Sequence, residues 1–403
     1  MRNLRAFPAA ASLAAIAALA LPATTLACGM ASGVPGAATF RDADHLAALV
    51  SHEDDSTSWS ELAAPFSSRT DVARLPTLLT WGSMSPAVVV SASGARMITF
   101  APTAWAGADG NSVGLAEVTA AGVANVPVPG AQALNGFAAV ISADGIADVL
   151  VSSDGAALHL LHGLPGMGPM RWTETARGDA GGCASNTLAL SLQADGSLAG
   201  FCGDRPLAIT GGAISVGDPV FNGVAPSALT STLDASGGAV FYAVSPDASG
   251  ETHQVARISR VGGAWTAEVI ASLPLETAED VAAARDGAIA IIGQTPNYDQ
   301  ALYALVRNGA MWTAEAAGKS EYGDRVSMAD ANGTLRILTG SMYLRLHERR
   351  ADGTWATTGL GRLGYTTPMA CEVGGALGAA PAAGPAMIGG VVLALAFVLR
   401  RRR

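Results

Sequence analysis

Lysine is nearly missing from this chain: Lys319 stands alone against 23 arginines, and the charged residues together make up only 14%. Aromatic residues are scarce as well, at 5%, while half of the chain is hydrophobic and 48 residues are glycine. The chain carries −9 overall; Arg2 and Arg5, and the net +3 of residues 371–403, lie outside the middle, which by difference carries −14. An acidic domain this poor in cations is not expected to bind nucleic acid, whose phosphates need clustered Lys and Arg. An all-α fold is excluded because few stretches hold a 3.6-residue hydrophobic period beyond a turn or two. Gly-x-Ser-x-Gly, His-Glu-x-x-His and phosphate-loop motifs are all lacking. Neither the six histidines nor the four cysteines have metal-ligand spacing, so no bound cofactor is expected.

What is present is a repeat. Short apolar runs meet at Ser93-Gly94, Asp144-Gly145, Asp195-Gly196, Ser236-Gly237, Asp286-Gly287 and Asn332-Gly333, each 41 to 51 residues after the last. Such pairs between apolar runs signal β-hairpins, because these residues tolerate the positive φ of a type I′ turn. A second series, Trp265, Trp312 and Trp355, runs in phase at 47 and 43 residues, with Trp172 two units earlier. The clearest unit is 278–318, four short strands about two tight turns. A period of 40 to 50 residues with four strands per copy predicts an all-β fold, a β-propeller of six or seven four-stranded blades. Stacking the units in a ring buries faces that one unit alone would expose.

Taken in order, residues 1–27 read as a signal peptide cleaved between Ala27 and Cys28, with a membrane helix as the alternative. Lipidation at Cys28 is disfavoured because Thr25 holds the place of the usual Leu. The segment 28–84 is expected to supply one outer hairpin to ring closure, with 361–367 adding a strand. Propeller repeats then fill 85–367, followed by a Gly/Ala/Pro-rich spacer at 368–385 and a hydrophobic anchor with four terminal arginines at 386–403. Its apolar part is short for a full membrane span of about 20 residues, and the arginines would remain cytoplasmic.

The order Cys371, spacer, hydrophobic segment, Arg cluster resembles the MYXO-CTERM sorting tail of myxobacteria and their relatives. The resemblance covers the last 33 residues. It implies processing near Cys371 and display on the outer surface; the alternative is a permanent anchor facing the periplasm. Asp352-Gly353-Thr354-Trp355 resembles the end of the Asp-box of sialidase-type propellers, although Asp and Gly are adjacent here and no arginine cluster or Tyr/Glu pair accompanies it.

Ligand sites are expected in the loops after each inner hairpin. They hold Asp109, Asp154, Asp204, Arg205, Asp247, Tyr298 and Asp299. Their carboxylates could hold Ca²⁺ through oxygen, against the plainer reading that Asp is a favoured turn residue. Cys183 and Cys202 are the one pair inside the repeats, and export permits a disulfide. The Trp residues with an acid two positions on are expected to pack between blades, and Arg177-Gly178-Asp179 to be a chance tripeptide in a loop. The expectation is a monomeric, non-catalytic binding or adhesion module of the cell envelope with an unidentified extracellular ligand, held to the membrane by its tail. The alternative is a propeller hydrolase acting on glycans or lactones.

Overall fold

A computed structural model describes residues 32–53, 56–75, 86–100, 114–131, 134–153, 157–166, 168–181, 183, 187–221 and 224–367. Ala27, Cys28, Asp109, Asp154, Cys371 and the anchor at 386–403 lie outside the described residues. Residues 33–366 form one compact unit. Among the described residues no helix is long and apolar enough to cross a membrane.

The unit consists of seven four-stranded antiparallel blades, each one continuous piece of chain: 37–75, 87–125, 134–179, 188–216, 228–273, 277–318 and 325–362. Their innermost strands are Ala37–Phe40, Ala87–Val90, Leu134–Ile141, Leu188–Leu192, Ala228–Leu233, Thr277–Arg285 and Arg325–Ala331. Successive side chains of a strand point to opposite faces, and both faces here are buried. In Ala288–Gln294 of blade 6, Ile289 and Ile291 pack toward blade 5, whereas Ala288, Ala290 and Ile292 pack toward blade 7. Every pair of neighbouring blades shares one such cluster, and a seventh joins blade 7 to blade 1 through Leu338, Leu344, Leu346, Leu46 and Val50. Seven interfaces for seven blades close a ring, and that is a β-propeller.

The inner turns use two chemistries. At Asn332-Gly333 both residues have positive φ, 53° and 91°, as a type I′ turn requires. At Ser93-Gly94, Asp144-Gly145, Asp195-Gly196 and Ser236-Gly237 only the glycine is left-handed, and its N–H returns to the carbonyl three residues back. These are type I turns ended by glycine. Blade 1 turns without glycine: Asp42 Oδ1 accepts the N–H groups of Asp44 and His45, both at 2.9 Å.

That Asp-capped turn corrects the reading of 28–84. The segment supplies all four strands of a blade, not an outer hairpin alone, and the ring therefore has seven complete blades. Nor does 361–367 extend blade 1: Tyr365–Thr367 pairs with Ser32–Val34 in a separate ribbon. Ring closure rests instead on isolated backbone bonds, from Ser51 N–H to Leu363 O at 2.7 Å and from Gly36 N–H to Ser341 O at 2.8 Å, together with side chains. Phe40 N–H donates to Ser327 Oγ at 3.1 Å, and Arg336 Nη1 donates to Ala43 O at 2.7 Å and to Asp44 Oδ1 at 2.9 Å. Similar latches reach the next blade's inner turn elsewhere. Arg96 Nη1 donates to Gly145 O at 2.6 Å; Tyr242 Oη and Arg257 Nε both donate to Asp286 Oδ1, at 2.6 and 2.8 Å.

Blades 3 and 4 also meet at their outer edges, where Arg177 and Gly178 pair in parallel with Ala213 and Ile214. Arg177-Gly178-Asp179 is thus part of a strand, not a loop. A Cβ on Gly178 would lie 2.1 Å from Ile214 O, so the seam needs glycine. Cys183 and Cys202 form a disulfide with Cα atoms 5.7 Å apart, tying the approach to blade 4 to its second strand.

Candidate functional site

The channel through the ring is walled by the innermost strands. Residues 87–89, 137–139, 188–190 and 229–231 line it three in a row. Since consecutive side chains alternate, a run of three means that the strand edge itself faces the lumen, with its N–H and C=O groups. The side chains beside these edges are mostly Ala, Val, Leu, Ser and Thr. The cavity at the inter-blade end is about 210 Å³; a further space of about 640 Å³ continues toward the inner turns.

One acid and one base break this wall. Asp280 of blade 6 and Arg325 of blade 7 face each other at 3.8 Å, and Asp280 Oδ2 also accepts the edge N–H of Val326 at 3.0 Å. Desolvation by the surrounding wall raises the Asp280 pKa, with Arg325 opposing. Two hydroxyls serve similar edge groups: Ser231 Oγ donates to Leu190 O at 2.7 Å, and Ser327 Oγ accepts from Phe40 N–H. The innermost strands of blades 7, 4 and 1 are thus each partly capped by a neighbouring blade. The innermost strand of blade 2, Ala87–Val90, carries no polar side chain.

None of the described loop residues proposed from sequence lines these two channel cavities. Asp204 and Arg205 lie at the turn between the second and third strands of blade 4, where Asp204 is buried and Arg205 Nη1 donates to Gly217 O at 3.2 Å. Asp247 is at the corresponding turn of blade 5. Its carboxylate accepts from the hydroxyls of Ser249 and Thr252, both at 2.8 Å, and these bonds pull its pKa down to about 2. Tyr298 and Asp299 are at that turn of blade 6, Tyr298 with φ 64° and its side chain in solvent. The five described candidates thus occupy equivalent turns of three blades, outside the two channel cavities. Among the described residues no three His, Cys, Asp or Glu side chains converge as a metal would need.

Asp352 shows the same turn use of a carboxylate as Asp247: its Oδ1 accepts Thr354 N–H at 2.9 Å and Thr354 Oγ1 at 2.6 Å. The tryptophans pack between blades as expected, Trp59, Trp172 and Trp265 in three of the inter-blade clusters, but two of them bond an acid of the preceding blade, not the acid two positions on. Trp172 Nε1 donates to Glu117 Oε2 across the blade 2–3 interface at 3.0 Å, and Trp355 Nε1 donates to Glu315 Oε2 across the blade 6–7 interface at 2.9 Å.

Three described histidines, His159, His253 and His347, are buried and were not singled out from sequence. His159 places Nδ1 2.7 Å from Glu174 Oε1 and Nε2 3.3 Å from Ser153 Oγ, the order of a Ser-His-acid triad. However, His159 is fully buried, and blade 7 repeats the arrangement as Thr339, His347 and Thr357, with no acid. Both sets act as polar links inside a blade. His347 is also fully buried, and desolvation together with Arg345 lowers its pKa to about 4. Asp324, 3% exposed, is raised by burial to about 6.

These two groups give opposite pH slopes. The lowered His347 contributes stability present above its unfolded pKa near 6.5, lost as pH falls toward 4. The raised Asp324 contributes stability present below 3.8, lost as pH rises through 6. Each is worth about 2–3 kcal/mol. In urea titrations, the stability of His347→Gln relative to wild type should rise by that amount from pH 7 to pH 4, and that of Asp324→Asn should fall. Parallel profiles for the variants and wild type would remove both assignments.

No family model matches the chain, and no curated protein matches it. Similar solved structures include a candidate 6-phosphogluconolactonase of Bacteroides uniformis ATCC 8492, at 14% identity and TM-score 0.48, covering 80% of this chain and 100% of that one. The Dos1 propeller shows 10% identity and TM-score 0.48, covering 82% and 85%. The β-propeller domain of the Trilobed protease of Pyrococcus furiosus shows 9% and 0.47, covering 82% and 99%. Nothing about activity follows from likenesses of this degree; the ring rests on the chain's own strand pairing and clusters.

Proposed function

We propose that this propeller is an exported binding module displayed at the cell surface, without a catalytic centre of its own. The observation that carries the reading is how the candidate carboxylates are used. Asp247 and Asp352 serve their own turns, Glu315 and Glu117 serve blade interfaces, and Asp247 is held ionised too firmly to act as a general acid near neutral pH. A ring with polar strand edges around an open lumen suits recognition rather than turnover. Export, sorting through Cys371 and attachment by the 386–403 segment belong to the same proposal and rest on the order of parts in the sequence.

Two measurements test it. Intact mass of the protein recovered from surface and outer-membrane fractions should show loss of everything beyond about Cys371, and the purified full chain should co-sediment with isolated envelope or extracellular material. A retained tail in the inner membrane removes surface display; no co-sedimentation removes the binding role. One observation favours a hydrolase instead, the order of Ser153, His159 and Glu174. A fluorophosphonate probe should leave Ser153 unlabelled, because its hydroxyl and His159 are buried. Labelling at Ser153 would give the hydrolase reading precedence.

A further inference from the structure

We infer that the inter-blade end of the channel is a binding site for a small, neutral, polyhydroxylated ligand of single-sugar-ring size, held between Asp280 and Arg325. The inference rests on the binding reading above and names the ligand class for it. Three features select that class.

The first is the wall. A strand edge presents N–H donors and C=O acceptors together, and here such edges face the lumen around residues 87–89, 137–139, 188–190 and 229–231. A ligand that only donates or only accepts would leave part of this wall unsatisfied when it displaced water. Hydroxyl groups do both.

The second is charge. Among the described lining residues Asp280 and Arg325 carry the charge, and they oppose each other at 3.8 Å, longer than a direct hydrogen bond. Asp280 Oδ2 is engaged by Val326 N–H, whereas Oδ1 faces Arg325 across that gap. Two hydroxyls of one ligand can bridge it, one donating to Oδ1 and one accepting from the guanidinium. The pair sums to zero, so a ligand with net charge would add an uncompensated charge in a poorly hydrated wall.

The third is size. A space of about 210 Å³ falls below the several hundred Å³ typical of drug-sized pockets. One sugar ring or a cyclic polyol fits the scale, whereas a longer chain would have to run on into the wider space beyond.

The position also stands out in the repeat. Seven residues before each inner-turn glycine lie Ala87, Ala138, Ala189, Thr230, Asp280 and Val326. All six line the cavity. Five are neutral, and a carboxylate occupies the sixth.

The test is calorimetric titration of the full chain in detergent with D-glucose, D-galactose and myo-inositol, each to about 10 mM. At least one should bind, and both Asp280→Asn and Arg325→Gln should weaken it tenfold or more, while Asp204→Asn and Asp247→Asn leave it unchanged. Asp280→Asn should fold, since the amide keeps the size of the side chain and its oxygen can still accept Val326 N–H. Its unfolding midpoint at or above that of wild type would make lost binding a lost contact. Absence of binding by all three compounds overturns the inference, as does undiminished binding by Asp280→Asn. Binding of glycine betaine in place of the three would overturn it too, by showing a site for separated charges. If these fail while the chain still co-sediments with envelope material, the binding module stands and only its ligand class falls.

Discussion

Replacing Glu117 by alanine is expected to lower the unfolding free energy by about 3–5 kcal/mol, because it leaves a buried guanidinium without its counter-charge. Glu117 is fully buried, Arg96 is 4% exposed, and Arg96 Nε lies 2.7 Å from Glu117 Oε1. The other carboxylate oxygen accepts Trp172 Nε1 from blade 3, so the same change also orphans an indole N–H inside the blade 2–3 interface. Arg96 meanwhile holds Gly145 O and Gly163 O of blade 3, at 2.6 and 2.9 Å. The loss should therefore appear both in urea titration of the full chain and as faster amide exchange in 87–125 and 134–179. Arg96→Met combined with Glu117→Leu should recover at least half of it, since apolar side chains of similar volume fill the site without a buried charge. A loss below about 1 kcal/mol for Glu117→Ala would mean that the pair behaves like a solvated surface bridge, and that the interface is held by its apolar cluster alone.

The repeat was legible because one backbone requirement recurs. Six inner turns need a left-handed residue at the same point, and glycine supplies it at 94, 145, 196, 237, 287 and 333. Six blades were readable from that signal with bounds close to those observed. Blade 1 was not, because its inner turn at 41–44 is closed by the Asp42 carboxylate and contains no glycine. The turn type was also misjudged where only the glycine is left-handed. Hairpin period is a property of spacing, and several turn geometries produce the same spacing.

The site was less legible for a physical reason. Asp is both a turn former and a ligand, so a search for acids in loops returns Asp247, which serves its own turn, ahead of Asp280, which stands in a strand. What marks Asp280 is its place in a series otherwise filled by Ala, Thr and Val. That contrast emerges only when the units are aligned on their inner-turn glycines. Arg325 gave no local sign, since its partner lies in the preceding blade, 45 residues earlier in sequence. Buried links such as Ser153–His159–Glu174 were equally hidden: three strands of one blade contribute one residue each.

The ring's weakest interface is expected at the join of blades 7 and 1, and Leu363→Ala should reveal it. In the described ring no strand is exchanged between these blades; each is a continuous run of chain. Leu363, 1% exposed, stands in for a shared strand. Its side chain joins the cluster of Leu46, Val50, Leu338 and Leu344, its carbonyl accepts Ser51 N–H at 2.7 Å, and its N–H donates to Met342 O at 2.9 Å. Packing around it is close: a Cβ on Gly36 would lie 2.6 Å from Leu363 O, and one on Gly340 would lie 3.0 Å from its Cδ1. Truncation to alanine should lose about 2–5 kcal/mol, set by how far the cavity can collapse. Leu302→Ala, in the blade 6–7 cluster, removes the same atoms from an interface whose blades are consecutive in the chain. If closure is the weak point, Leu363→Ala accelerates amide exchange in 37–75 and 325–362 well ahead of blades 3 to 5, as a partial opening of the ring. Leu302→Ala should instead raise exchange around its own interface without freeing blade 1. Uniform acceleration in both variants would mean that the ring opens only as a whole, and that its seven blade interfaces hold it as cooperatively as a shared strand would.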